Sequence, residues 1–148
     1  MSIVCPHAVP TVLNILFEAM DVKAHPAVKE VSVILVANLI AQFPKQITVC
    51  LPDIIPAVSA LMNESKASIK DAATATMTAA CALVGNRDIE AMVPAIISCI
   101  KNPPEVQECV HKLASTTFVQ QVESPCLALM VPLLLRGMRE RVTAIKRK

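Results

Sequence analysis

An apolar helical pattern that recurs with a proline is the feature that most limits what this chain can fold into. Across residues 91–100 apolar side chains fall at 92, 93, 96, 97 and 100, the spacing of one helix face, with Pro94 early in the stretch. A helix tolerates or bends at a proline so placed rather than breaking. The cassette returns. Val9–Pro10 is followed by Val12, Leu13 and Leu16; Ile55–Pro56 by Val58, Leu61 and Met62; Val131–Pro132 by Leu134, Leu135 and Met138. The four prolines lie 46, 38 and 38 residues apart.

A second marker has the same period. Apolar–basic pairs open the helix after each proline helix: Val28–Lys29, Ile69–Lys70 and Ile145–Lys146, with Val106–Gln107 holding the place in the third unit. Their spacings are 41, 37 and 39. A period of about 40 with two helices per unit marks an all-α solenoid of HEAT or armadillo type. The chain reads as one such segment over residues 1–148, about three and a half helix pairs. The units span about 4–43, 48–84, 87–119 and 124–148, the last truncated.

Local signals place the helices. The first runs from about Val4 to Met20, with Pro6 in its first turn. Pro26 opens a second, whose apolar side is Val28, Val31, Leu35, Leu39 and Ile40, and Pro44 stops it. Unit two begins near Thr48 and continues in an Ala- and Thr-rich helix over 67–84. Gly85–Asn86 closes that helix, both residues tolerating the left-handed conformation. Asp88 and Glu90 suit the first turn of the helix starting at Arg87. Asn102–Pro103 reads as N-cap and first residue of a helix to about Val119, and Ser124 as the N-cap of unit four. A partner helix from about Glu140 has at most about two turns. That stop, and a first unit without a polar outer cap, read as a piece of a longer solenoid or a truncated gene product, with flanking repeats as neighbours.

Composition excludes several classes. The chain is 54% hydrophobic and 18% charged. Its longest uncharged runs, residues 1–17 and 72–86, are broken by Pro, His and Asn or diluted by Thr and Ala. Neither is the roughly 20 apolar residues of a membrane span. The first has no basic n-region and is no signal peptide. Six cysteines (Cys5, Cys50, Cys81, Cys99, Cys109 and Cys126) form no C-x-x-C pair and read as buried free thiols in a reducing, cytoplasmic setting. With no Trp or Tyr and three Phe, stacking platforms for single-stranded nucleic acid are not expected.

Catalytic chemistry is not expected either. Two glycines, Gly85 and Gly137, and no G-x-x-x-x-G-K-[ST] rule out a phosphate loop of that kind. Cys109 and His111, two apart on a helix, make a poor metal pair. Ser115, Thr116 and Thr117 have no His–Asp arrangement nearby. No catalytic, cofactor or metal residue is assigned. What stands out is charge. Arg136, Arg139, Arg141, Lys146, Arg147 and Lys148, opposed by Glu140 alone, give the last 13 residues a net +5, whereas the 135 before them carry eight basic and eleven acidic side chains. Such asymmetry fits an anionic partner such as RNA phosphate, or a solvated edge.

Several stretches carry a resemblance: Ala72–Thr78 (AATATMT), Asn86–Glu90 (NRDIE), Thr116–Val119 (TTFV), Met130–Leu134 (MVPLL), Arg136–Gly137 and Ile145–Lys148 (IKRK). In this order they resemble the HEAT-repeat region of the translation elongation factor 3 family. The resemblance covers about two-thirds of the chain, from about Leu51; residues 1–50 fit the repeat type less distinctively. It implies docking on the ribosome, with rRNA and ribosomal proteins as partners, and neither membrane nor DNA. In that family two carboxy-terminal ATP-binding cassettes drive release of deacylated tRNA. The present sequence has no cassette, so no ATPase activity is carried over and no cofactor is expected in this segment. The alternatives are the HEAT scaffold of a Gcn1-type translational regulator, or a generic protein-binding solenoid.

Overall fold

The computed structural model describes residues 5–21, 23–102 and 105–139, without the side chains of Arg136 and Arg139. All regular structure among them is helical. A short 3-10 turn, Pro6–Ala8, leads into α1 (Val9–Ala19). There follow α2 (Pro26–Gln42), α3 (Pro44–Leu61), α4 (Ala67–Cys81), α5 (Arg87–Glu90), α6 (Val93–Lys101), α7 (Val106–Ser115) and α8 (Ser124–Arg139). The architecture is an all-α solenoid of helix pairs. The partner helix expected from Glu140 lies outside the described residues, as does Pro103.

Two layers hold the stack together. The second helices α2 and α4 lie along each other, and Thr76 Oγ1 of α4 donates to the carbonyl of Val33 in α2 at 3.4 Å. In the other layer α3 is buried between α4 and α8, with Ile47, Leu51, Ile54, Ile55 and Val58 fully enclosed. The first helix of the fourth unit thus reaches back to the second unit as well as packing on α6 and α7.

The prolines behave differently from one unit to the next. Pro10 and Pro94 open their helices, while Pro56 and Pro132 lie inside α3 and α8. At a helix start the missing N–H costs nothing; inside, the ring removes a bond and crowds the carbonyl four residues back. In α3 the enclosed apolar face outweighs that cost. Residues 87–100 resolve it otherwise. The chain turns at Ala91–Met92, and α6 begins at Val93 with Pro94 in its first turn. The expected single helix through Pro94 is therefore two.

Other boundaries move for similar reasons. Pro44 both stops α2 and opens α3, leaving Phe43 alone as the hinge, so unit two starts at Pro44 rather than Thr48. Gly85 adopts the left-handed conformation at φ +62°, but Asn86 does not; it is extended and caps α5. Asn102 closes α6 instead of capping α7, and its Nδ2 donates to Glu105 Oε1 at 3.0 Å. α7 ends at Ser115 rather than near Val119, and residues 116–123 connect it to α8 without helix. All six cysteines are free, yet Cys5 is exposed and Cys50 half-buried, so only four match the expectation of burial.

The largest correction concerns α2. Its buried residues are Lys29, Ser32, Val33, Val36, Leu39 and Ile40. Val28, Val31 and Leu35, expected on the core side, are 46%, 56% and 44% exposed.

Candidate functional site

The basic cluster is located only in part. Arg136 and Arg139 stand three apart in α8. Arg141, Lys146, Arg147 and Lys148 lie outside the described residues.

The structure does bring together two stretches that the sequence keeps thirty residues apart. Asn86, in extended conformation after Gly85, accepts the amide of Asp88 on its Oδ1 at 2.9 Å and caps α5. This aims the Asp88 carboxylate away from α5 at the 116–123 connection, where Oδ2 accepts the amides of Val119 and Gln120, both at 2.8 Å. Gln120 Oε1 accepts the amide of Arg87 at 2.9 Å, and Asn86 Nδ2 donates to the Gln121 carbonyl at 3.5 Å. The sequence alone assigned Asp88 to the helix dipole and missed this clasp. The signal was available only as two motifs, NRDIE and TTFV, without their pairing.

Shallow cavities flank the clasp. One of about 350 Å³ is lined by Val84, Gly85, Asn86, Gln120, Gln121 and Cys126 among others. A second, of about 410 Å³, lies between the end of α4, α5 and the start of α6, with Cys81 and Ile89 at its wall and Arg87 and Glu90 at its edge. Burial pushes the Cys81 thiol up to about 12, so it is no thiolate nucleophile near neutral pH.

Several charged groups elsewhere have partners of their own. Lys29, buried, meets Glu64, and Glu30 accepts from Lys66 Nζ at 2.7 Å and Ser68 Oγ at 2.9 Å. Lys66 and Ser68 hold the Glu30 carboxyl below its usual range. Glu105 is likewise lowered by Ser98 and Asn102. His25 caps α2, its Nδ1 accepting the Ala27 amide at 3.3 Å. Among the described residues no group of three or more His, Cys, Asp or Glu comes within reach of one metal ion. No helix among them is long and apolar enough to cross a membrane. The elements brought together are caps, bridges and turn edges, chemistry that fixes the connections in place.

Comparison with known proteins agrees with this architecture. Residues 1–77 match the family model described as EF3 N-terminal HEAT repeat, and residues 105–148 match Elongation factor 3/GNC1 HEAT repeat. The chain is 49% identical over 137 residues to elongation factor 3 of Phytophthora infestans, which covers 93% of the chain and 13% of that relative. It is 43% identical over 143 residues to elongation factor 3 of Gonapodya prolifera, covering 97% and 13%. To elongation factor 3B of Saccharomyces cerevisiae it is 42% identical over 147 residues, covering 99% and 14%. The chain thus spans about 13% of the length of these relatives. The likeness also reaches residues 1–50, which the sequence motifs had left less distinctive.

Proposed function

The chain belongs to the elongation factor 3 N-terminal HEAT-repeat family, and on that membership we propose that it is a ribosome-docking segment that supports translation elongation. The observation that carries this is the likeness to elongation factor 3 proteins along nearly the whole chain. ATP hydrolysis, in this reading, belongs to cassettes beyond the matched region, and the segment contributes a rigid surface in the cytoplasm. Its partners are rRNA and ribosomal proteins. The contact is the basic ridge of Arg136, Arg139, Arg141, Lys146, Arg147 and Lys148.

Co-sedimentation with ribosomes across a salt series tests the reading. Each phosphate contact adds about 0.7 to 0.9 to the magnitude of the log–log salt slope. Replacing Arg136, Arg139 and Arg141 by Gln is expected to weaken binding and flatten that slope while helicity stays unchanged. Equal co-sedimentation of variant and parent at every salt concentration rejects the ridge; no binding by the parent rejects docking by this segment. A regulator of Gcn1 type is the second reading, favoured by the second family match, whose description names both proteins. A protein partner without RNA would show a shallow salt slope.

Flanking repeats are the other partner proposed. Lys29 and Val33 are buried on the side of α2 that faces α4, and Thr76 of α4 faces back. At a shift of 41 residues, Ile69 and Thr76, both 1% exposed, correspond to Val28 and Leu35, which are 46% and 44% exposed. The same flank that α4 uses to receive α2 is uncovered on α2. Its chemistry suits a second helix of another repeat.

A further inference from the structure

From two uncharged helical stripes that one molecule leaves uncovered, we propose that copies of this chain associate head to tail, the α8 stripe of one seating on the α2 flank of the next. Leu127, Val131, Leu134 and Met138 of α8 follow the spacing of one helix face and are 40–66% exposed. Pro56 and Pro132 lie 76 residues apart. At that shift the four correspond to Leu51, Ile55, Val58 and Met62 of α3 and its cap, each 1% exposed or less. In α3 they are enclosed by other helices, α4 and α8 chief among them. The stripe on α8 is therefore a helix-packing surface by type, and in one molecule it faces solvent.

Chemistry selects the occupant. Within one molecule α8 packs on α3, α6 and α7, and α2 on α1, α3 and α4, so neither stripe covers the other. No charged residue occurs from Ser124 to Leu135. Arg136 and Arg139 fall off the stripe's spacing, which leaves the proposed basic ridge out of the contact. The charged residues of α2 are Lys29 and Glu30, already held by Glu64 and Lys66. Val28, Val31 and Leu35 can thus meet the α8 stripe with no charge to desolvate. From Leu127 to Met138 the stripe runs about 16 Å, and the exposed side of α2 from Ala27 to Asn38 has the same number of residues. A cavity of about 410 Å³ widens the stripe, with Ile100 and Leu133 buried in its wall and half-exposed Leu135 at its edge. Its polar side chains are engaged: Ser59 Oγ donates to the Pro56 carbonyl at 3.0 Å and Asn63 Nδ2 to the Ser59 carbonyl at 3.4 Å. The cavity has room for an aliphatic side chain of an incoming helix, and Ile34 of α2, exposed beside the flank, supplies one. Because the two surfaces differ, a dimer keeps one open stripe at each end and association continues to a longer chain or a ring. The proposal rests on the reading that the α2 flank receives a helix of another repeat, whose place the α8 of a second copy takes.

Sedimentation of the full chain over a concentration series, with two variants, is the test. The parent is expected to gain mass beyond a dimer as concentration rises. Val28→Gln with Leu35→Gln, and Val131→Gln with Met138→Gln, each remove one surface and are expected to stay monomeric to at least about tenfold higher concentration. All four residues are exposed, so helicity by circular dichroism should match the parent; Leu127→Gln with Leu134→Gln is the second α8 variant, should the first fail to fold. Mixed one to one, the α2 and α8 variants should form a dimer and stop there, since each brings the intact surface the other needs and both outer ends are blocked. A mixture that remains monomeric where the parent associates overturns the proposal, as does a parent that stays monomeric throughout. An α8 variant that associates like the parent overturns the pairing and leaves the α2 flank to a covalently joined repeat. An α2 variant that does so overturns the flank reading as well.

Discussion

Lys29 of α2 holds its ammonium 2.5 Å from Oε1 of Glu64 in the turn between α3 and α4, at 4% exposure, while its neighbour Val28 stands 46% exposed. The apolar–basic marker is inverted here. At the corresponding pair Ile69 is buried and Lys70 half-buried, as the pattern predicts. The inversion follows from neighbours: α2 meets α4 along the side bearing Lys29, and the side bearing Val28 is uncovered. Burying the lysine then requires a carboxylate, because an unpaired buried charge costs several kcal/mol.

Lys29→Ala should therefore destabilise the chain more than an ordinary surface change. The Glu64 side chain keeps 27% exposure and some water, so the loss is about 1–2 kcal/mol, below the range for fully buried pairs. The double variant Lys29→Met, Glu64→Gln should recover most of it, since an apolar side chain replaces the buried ammonium and the neutral amide, partly in water, no longer needs a counter-charge. Urea unfolding of the three proteins decides; a double variant as weak as Lys29→Ala would show that the charges themselves are needed.

How much of this was legible depended on whether neighbours or local chemistry set the outcome. The repeat, the Gly85 turn and the Asp88 first turn follow from residue type and spacing. The phase of α2 does not. Ala27, Val28, Val31, Ile34 and Leu35 form as apolar a stripe as the buried one, and only the position of α4 chooses between them. The break at Ala91–Met92 is similar. Pro94 and Pro56 share one pattern, and the extent of packing decides which helix continues. The basic ridge was visible as charge, while its geometry is carried by residues outside those described.

Gly85 isolates a backbone effect. Its φ of +62° disfavours any L side chain, yet the nearest atom to an added Cβ is the Leu83 carbonyl oxygen at 3.9 Å, ordinary contact. Gly85→Ala should cost about 1 kcal/mol or slightly more from conformation alone. Gly85→Asn should cost less, because asparagine tolerates this region. Equal losses in thermal melts would show that something other than φ is at work.

Asp88→Ala should loosen the clasp without unfolding the chain. The amides of Val119 and Gln120 lie on exposed residues, so water replaces the carboxylate and the cost stays near 1 kcal/mol. The informative readout is hydrogen exchange. These two amides should lose protection in the variant, while the α3 amides from Leu51 to Val58 keep theirs.

Acid sensitivity should come partly from Glu30 and Glu105. Their partners hold both folded-state values below 4.5. The stabilisation from each is complete above that value and is lost as pH falls through the lowered one. Melting curves between pH 6 and 3 should show this decline. Glu30→Gln removes one titrating group and should flatten it; a decline as steep as the parent's would rule Glu30 out as a source of the acid sensitivity.

The uncovered flank of α2 gives the last expectation. Val28 and Leu35 are nearly half exposed, so Val28→Gln with Leu35→Gln removes little buried area and should change stability by no more than about 0.5 kcal/mol per site. If the flank is where a neighbouring repeat docks, the isolated chain presents it to other copies, since contiguous apolar patches promote association. The double variant should therefore sediment as a monomer at concentrations where the parent associates. Covering the flank instead, by fusing another helix pair of the family ahead of α1, should raise the melting temperature of the parent. In the double variant the same fusion should raise it less, because the added repeat has lost the apolar side it packs against. Fusion that stabilises both proteins equally would place the contact elsewhere, with Ile15 of α1, 61% exposed, the next surface to try.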